Sequence, residues 1–310
     1  MAEISIDGAV GAGFSLIRRK PLTVLVWGLV QALGMVPFFG AYAVFLLAFI
    51  PFAARHMVTA TTPTPADMGA LIGQMLMGEG FLFLGIILML CVRTVVMTAT
   101  WRAVLHPDRG AWAYLRIGRA EGFILLLVLG LAFAGNLIVI PLFPVLMIAG
   151  ALAAVHQWIA AVVVGAVGIV AMIVALIYLE LRFSVLGPMI VNDDRFHFVE
   201  AWNLTRGKVG GLFVVGLCLL AILMGAELLI ILLGVALGAA GLGLAARGFD
   251  QLQTFFQTPP ATIAAKLAPL LVIYAVAAIP IAGAATAVFG APWARAFRDL
   301  TPAAEPPVVQ

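Results

Sequence analysis

Charge is scarce in this chain. Its 310 residues include 17 lysines and arginines and 14 aspartates and glutamates, or 10% charged residues, where soluble domains hold about 25%. With 64% hydrophobic residues and a mean hydropathy of +1.18, the composition excludes an ordinary water-soluble domain. Cysteine is nearly absent: Cys91 and Cys218 both lie inside apolar runs, which excludes a disulfide framework and a thiolate zinc site. No GxSxG elbow, P-loop, HExxH helix or GxGxxG strand-turn-helix stands where its structural context could exist. The sequence pI of about 9.1 is explained by the basic residues that membrane topology requires, so nucleic-acid binding is not implied. No cofactor and no metal is implied either.

Long apolar runs dominate instead. They cover residues 21–54, 80–105, 122–155, 157–181, 211–246 and 267–290, each at or beyond the ~20 residues a helix needs to cross a bilayer core. The expected fold is an all-α polytopic membrane protein with six transmembrane helices. Residues 1–298 would form a single integral membrane domain and 299–310 a flexible tail. The first run is too long for a signal-peptide core and follows Glu3 and Asp7, so it reads as a span. With the amino terminus inside, Arg18, Arg19, Lys20, Arg102, Arg109, Arg116, Arg119, Arg182, Arg195, Arg206, Lys208, Arg295 and Arg298 all fall on the cytoplasmic side. Only Arg55, Arg247 and Lys266 fall outside, and Arg93 within a span. This asymmetry predicts a bacterial inner-membrane protein with both termini cytoplasmic. Three runs of about 34 residues would measure roughly 51 Å as helix, so a tilt or break is expected at Pro37, at Pro141 and Pro144, and in the glycine-rich end of the fifth run.

Three segments resemble one another. Aligning SLIRRKPLTVL, YLRIGRAEGFIL and NLTRGKVGGLFV superposes Leu16, Leu115 and Leu204, then Lys20, Arg119 and Lys208, with Gly118 matching Gly207 and Gly122 matching Gly211. Each precedes a long run and a shorter returning one, which predicts a threefold parallel repeat of one interfacial helix plus two spans, over approximately 7–105, 110–182 and 194–298. The interfacial stretches read as amphipathic helices, with Val10, Phe14 and Ile17 on one face and Phe198, Trp202 and Thr205 on another, joined by Ala201 and Val209. Trp112, Tyr114 and Trp202 suit the water boundary, while Arg18, Arg19, Lys20, Arg116, Arg119, Arg206 and Lys208 suit lipid phosphate.

One polar cluster invites a chemical reading. Asp193 and Asp194 precede His197 and Glu200; on a helix, Asp193 and His197 would lie one turn apart and could share a divalent cation. The competing reading, favoured here, is that Gly187-Pro188 and Asn192-Asp193-Asp194 form a turn in which an aspartate caps the helix of Phe198 and Trp202. Inside the spans stand Gln31, Arg93, Asn136 and Glu227. A charge at mid-bilayer costs about 2.5–3.5 kcal/mol on insertion scales, so these groups should face protein or water in two polar layers of one bundle. Direct pairing of Arg93 with Glu227 is not favoured, because their backbones differ in depth by roughly 10 Å.

The segment RFSVLGPMIVNDDRFHFVEAWNLTRGKVGGLF resembles the signature region of the glycerophosphoryl diester phosphodiesterase membrane-domain family and its relatives, the YciC-like bacterial inner-membrane proteins. Arg182, Pro188, Ile190-Val191, Asp194, Ala201-Trp202, Leu204 and Thr205-Arg206-Gly207 carry the likeness, and GAGFSLIRRKPLTVL is similar to the family's opening. The resemblance implies a six-span protein over nearly the whole chain. It brings no established activity or catalytic residues, since the family name derives from members fused to a separate phosphodiesterase domain. The leading expectation is therefore a non-enzymatic membrane protein that engages anionic headgroups, with a membrane-protein partner or a second copy as further partners. A channel or proton-linked transporter using Glu227, Asn136 and Arg93 is the alternative, followed by a metal-dependent lipid phosphotransferase or hydrolase using Asp193, Asp194 and His197.

Overall fold

The computed structural model describes residues 4–41, 44, 52, 64–108, 110, 112–242 and 260–301. Among them there is no strand, and six helical segments are long and apolar enough to cross a membrane: Pro21–Ala41, Pro65–Leu105, Trp112–Ala154, Trp158–Asp193, Val209–Leu237 and Ala268–Leu300. The protein is an all-α, multi-pass membrane protein. Its α-helices among the described residues include α1 (Ile6–Arg19), α2 (Pro21–Gly34), α3 (Pro65–Leu105), α4 (Arg119–Val139), α5 (Leu142–Ala154), α6 (Trp158–Phe183), α7 (Leu186–Asp193), α8 (Phe198–Leu204), α9 (Val209–Leu242) and α10 (Pro260–Leu300). Arg55, Arg109 and Arg247, used for the topology, and residues 302–310 of the expected tail lie outside the described residues. Asp299 and Leu300 belong to α10, so the last helix ends beyond the boundary expected at residue 298.

Local chemistry sets the helix boundaries. Pro21 disfavours helical backbone at the residue before it, and Lys20 accordingly leaves the helix with φ −135° and ψ 57°, separating α1 from α2. At the start of α3 the Thr64 hydroxyl accepts from Asp67 N–H at 3.2 Å while the Asp67 carboxylate accepts from Thr64 N–H at 3.1 Å. This reciprocal cap, with Pro65 at the first helical position, starts the helix well ahead of the apolar run at residue 80.

The long runs differ in how they break. Met35 interrupts the first, and helix resumes with Pro37 in its opening turn, where a missing N–H costs nothing. Between α4 and α5, Ile140 and Pro141 keep helical dihedrals, so the expected proline site is a kink. In the fifth run no break falls among the described residues: α9 continues through Gly234, Gly238 and Gly241 to Leu242, with residues 243–246 outside the described part. Glycine retains its N–H, and lipid offers the backbone no other partner, so helix persists despite a propensity cost of about 1 kcal/mol per glycine.

The chain divides into two compact units. The first comprises Met1–Gly13, Met97–Leu219 and Gly290–Gln310. Its core gathers Trp101, Ile124, Leu127, Phe297 and the consecutive buried residues Val185 to Val191, so α7 is embedded rather than interfacial. Pro188 explains why α6 does not simply continue: it cannot donate to the Ser184 carbonyl one turn earlier, and the chain reorients at Ser184-Val185. Trp101 donates from Nε1 to the Gly290 carbonyl at 3.0 Å, and Gly187 leaves the space its ring occupies.

The second unit comprises Phe14–Val96 and Leu220–Phe289. There α2 and α10 meet backbone to backbone, because a Cβ on Gly28 would collide with the Ile279 carbonyl and one on Gly283 with the Val24 carbonyl. One turn along each helix, Gln31 Nε2 donates to Thr286 Oγ1 at 2.6 Å. Small residues and an interhelical hydrogen bond are what hold helices together in a solvent as apolar as their own side chains. Replacing Gly283 with Leu is therefore expected to lower the thermal midpoint of the detergent-solubilised protein by well over 5 °C. Gly225→Ala, whose added methyl meets nothing within 4 Å, should leave it unchanged.

Candidate functional site

The polar centre of the first unit is built from residues that end or begin apolar helices. Arg102, in the last turn of α3, is 5% exposed and forms an ion pair with Glu121, also 5% exposed, in the first turn of α4. Glu121 also accepts from Gly118 N–H at 2.9 Å, closing the start of α4. Arg102 donates a second bond to the Tyr114 carbonyl at 3.3 Å. That carbonyl is presented by Trp112, Ala113 and Tyr114, all left-handed with φ 44°, 56° and 61°. Left-handed backbone costs roughly 1–2 kcal/mol per residue without glycine; burial of Tyr114, its hydroxyl bond to the Pro107 carbonyl at 2.6 Å and the Arg102 contact offset it. Gly110 supplies room for the Tyr114 ring, which would meet an added Cβ at 2.7 Å.

A second arginine, Arg182 near the end of α6, is 4% exposed and has no carboxylate partner among the described residues. Its guanidinium lies 3.9 Å from the centroid of the Trp202 ring and 5.8 Å from that of Tyr178, and Nη1 donates weakly to Thr205 Oγ1 at 3.4 Å. A desolvated cation on indole gains about 2 kcal/mol or more. Thr205, fully buried, reaches the carbonyls of Ala201 at 3.0 Å and Arg182 at 3.2 Å, fastening the end of α8 to that of α6. Gly207 then reverses the chain at φ +73°, a conformation that favours glycine. The motif residues Arg182, Pro188, Ile190, Val191, Ala201 and Thr205 are all buried, so they build this junction.

The acidic cluster takes a different form from both sequence readings. Asp194 is the left-handed residue after α7, with φ 55°, and not the N-cap of α8; that position belongs to His197, whose side chain makes no capping bond. The left-handed turn reverses the chain between Asp193 and His197, so they do not share a helix face. His197 Nδ1 meets Glu200 at 2.9 Å and Nε2 lies 4.0 Å from Asp193, while Asn192 Nδ2 donates to Asp193 at 2.5 Å. Asp194 faces a separate depression with Arg119 and Arg195. Among the described residues no group of three or more His, Cys, Asp or Glu side chains could hold a metal ion.

The interfacial stretches likewise diverge. The first is a regular helix, α1, but its buried face is Ala9, Gly13 and Leu16, while Phe14 is exposed and Val10 and Ile17 are half-buried. The small residues allow closer packing, which explains the rotation of the face by about one residue. The second is the left-handed turn with Tyr114 buried and Trp112 exposed. The third is the seven-residue α8, in which Ala201 and Thr205 are buried, Phe198 is exposed, and half-buried Trp202 covers Arg182.

Of the four intramembrane groups, only Gln31 bonds to another helix among the described residues. Asn136 is exposed and donates to the Ala132 carbonyl of its own helix at 2.8 Å; Arg93 and Glu227 are exposed and form no ion pair with each other. A side chain that satisfies itself on its own helix, as Asn136 does, has no need to face a bundle. Glu121 was missed by the sequence reading. The signal for it was a glutamate three residues after Gly118 at the start of an apolar run, where its carboxylate can accept from the Gly118 N–H, not its charge. No family model, curated protein or solved structure matches this chain.

Removing one member of a buried pair costs about 3–5 kcal/mol. Glu121→Gln should accordingly unfold much of the detergent-solubilised population by near-ultraviolet circular dichroism, and adding Arg102→Met should restore much of the loss. At the exposed cluster, His197→Ala should cost no more than about 1 kcal/mol, and calorimetric titration with Mn²⁺ or Zn²⁺ should show no stoichiometric binding.

Proposed function

We propose that this is a non-enzymatic protein of the bacterial inner membrane whose exposed basic residues hold anionic lipid headgroups, in support of lipid or envelope homeostasis. It would belong to the glycerophosphoryl diester phosphodiesterase membrane-domain and YciC-like family, with both termini cytoplasmic. The observation that carries the reading is a division among the arginines. Arg102 and Arg182 are buried and matched within the protein, whereas Arg18, Arg19, Arg116, Arg119 and Arg206 are exposed and make no ion pair among the described residues. Lys208 is half-buried beside them in sequence, at the start of α9. These residues stand where chain meets an apolar span, in positions that suit lipid phosphate.

The registers of Leu16, Leu115 and Leu204 support a threefold parallel repeat whose interfacial parts have diverged in local structure. Embedded motif residues support a structural role for the family signature, with lipid contact left to the exposed basic residues.

Each exposed lysine or arginine near an anionic surface contributes about 1 kcal/mol. In nanodiscs containing spin-labelled phosphatidylglycerol and phosphatidylcholine, the protein is expected to order the anionic lipid preferentially. Replacing Arg18, Arg19, Arg206 and Lys208 with Gln should reduce that preference severalfold; equal ordering of both lipids by the unmodified protein would overturn the reading.

A further inference from the structure

A depression of about 660 Å³ opens in the first unit, lined by Arg119, Gly122, Phe123, Leu126, Asp194 and Arg195. We propose that it seats one phospholipid, with the phosphodiester between Arg119 and Arg195, a headgroup O–H or N–H donated to Asp194, and an acyl chain against Phe123 and Leu126. The proposal rests on the lipid-binding reading above and narrows it to a single stoichiometric site.

The order of the lining matches the order of groups in a lipid. Arg119, Gly122, Phe123 and Leu126 recur at spacings of three and four on one face of α4, and Leu126 stands about 10 Å further along the helix than Arg119. Charge at the start of the helix thus gives way to apolar wall as the helix proceeds into its membrane span. Phe123 is braced from the side by Phe196, with ring centroids 5.0 Å apart and planes at 66°, and Phe196 stacks on Phe198 at 5.2 Å. The wall is therefore held by protein packing.

The charged groups have no hydrogen-bond or ion-pair partner among the described residues, with Arg102 the nearby cation whose field reaches Asp194. Arg119, Asp194 and Arg195 form no side-chain ion pair or hydrogen bond among the described residues, in contrast to the nearby buried pair of Arg102 and Glu121. Two guanidiniums and one carboxylate leave one positive charge, which a phosphodiester monoanion neutralises. A phosphomonoester dianion would crowd Asp194, whereas a headgroup donor would satisfy it. The volume holds a phosphate and its headgroup, and the remaining chain length lies in the surrounding bilayer. A water-soluble phosphodiester would use the arginines and leave Phe123 and Leu126 without purpose, which is why a lipid is the assigned occupant.

Gly122 offers a test that spares the fold, because a Cβ there meets nothing within 4 Å. The full chain would be reconstituted with dioleoylphosphatidylglycerol and dioleoylphosphatidylcholine, released into mild detergent, and weighed intact by native mass spectrometry. One retained phosphatidylglycerol per chain is expected. Gly122→Leu, and separately the Arg119→Gln, Arg195→Gln double variant, should each reduce retention at least tenfold. Gly122→Leu should keep the unmodified thermal midpoint and the general anionic preference seen by spin label. Retention undiminished in Gly122→Leu overturns the seat, while the broader reading stands or falls on the spin-label preference alone. Release of the lipid by millimolar glycerophosphoglycerol would also overturn it, showing a soluble phosphodiester site. Asp194→Asn should raise retention of dioleoylphosphatidic acid relative to phosphatidylglycerol severalfold, and an unchanged ratio would overturn the assignment of a headgroup donor to Asp194.

Discussion

A guanidinium removed from water needs its own counter-group, and the first unit is arranged around two such groups. Taking a charged side chain out of water costs several kcal/mol even after relaxation, so the loops beside Arg102 and Arg182 take the shapes that meet this cost. For Arg102, Glu121 comes from the first turn of α4 and the Tyr114 carbonyl from a left-handed turn that non-glycine residues rarely adopt. For Arg182 no carboxylate is supplied among the described residues; an indole face and a threonine hydroxyl serve instead, which fixes α8 against the end of α6. Connections that would otherwise be interchangeable surface loops are thereby specified.

Elsewhere the surrounding lipid sets a different rule. Hydrocarbon is as apolar as leucine, so burying leucine between spans adds little, and close packing and hydrogen bonds must decide which helices meet. The meeting of Gly28 with Gly283, followed one turn on by Gln31 and Thr286, shows both devices in one place. The same logic accounts for Asn136, which returns its donor to its own helix and can then face outward. Polarity inside a span is therefore a poor guide to a transport pathway when the group can be satisfied locally.

The sequence makes the spans legible because hydropathy and length act over twenty residues at a time, and the six apolar runs correspond to the six long helices. Single residues at the junctions were less legible, for identifiable reasons. Trp202 looks like an interfacial anchor because its ring suits that layer, but its ring also suits a cation, and only the folded chain brings Arg182 beneath it. Asp194 looks like an N-cap because acids favour that position; its left-handed conformation, which aspartate tolerates better than most residues, places it after α7 instead. The pairing of Arg102 with Glu121 depends on how far the intervening turn doubles back, and a run of positive φ without glycine gives no compositional sign. The segment with a family-like pattern was visible as a pattern, yet its residues were visible as buried structure only once α7 was seen embedded in a core with Trp101, Ile124, Leu127 and Phe297.

The two populations of arginine follow from a single ordering of costs. Where a guanidinium is enclosed, the protein must provide its partner, and that partner becomes part of the architecture. Where it remains at the end of a span, water or lipid phosphate can serve, and evolution of the fold is free to leave the protein side unpaired. A cation of the second kind beside an apolar wall is different from one on a bare surface, because its occupant is constrained at both ends. Arg119 and Arg195 fall in that class by virtue of Phe123 and Leu126, while Arg18, Arg19 and Arg206 have no such wall assigned to them. Diffuse attraction and selective seating can thus coexist in one protein, with the shape of the neighbouring apolar surface, and not the number of charges, separating them.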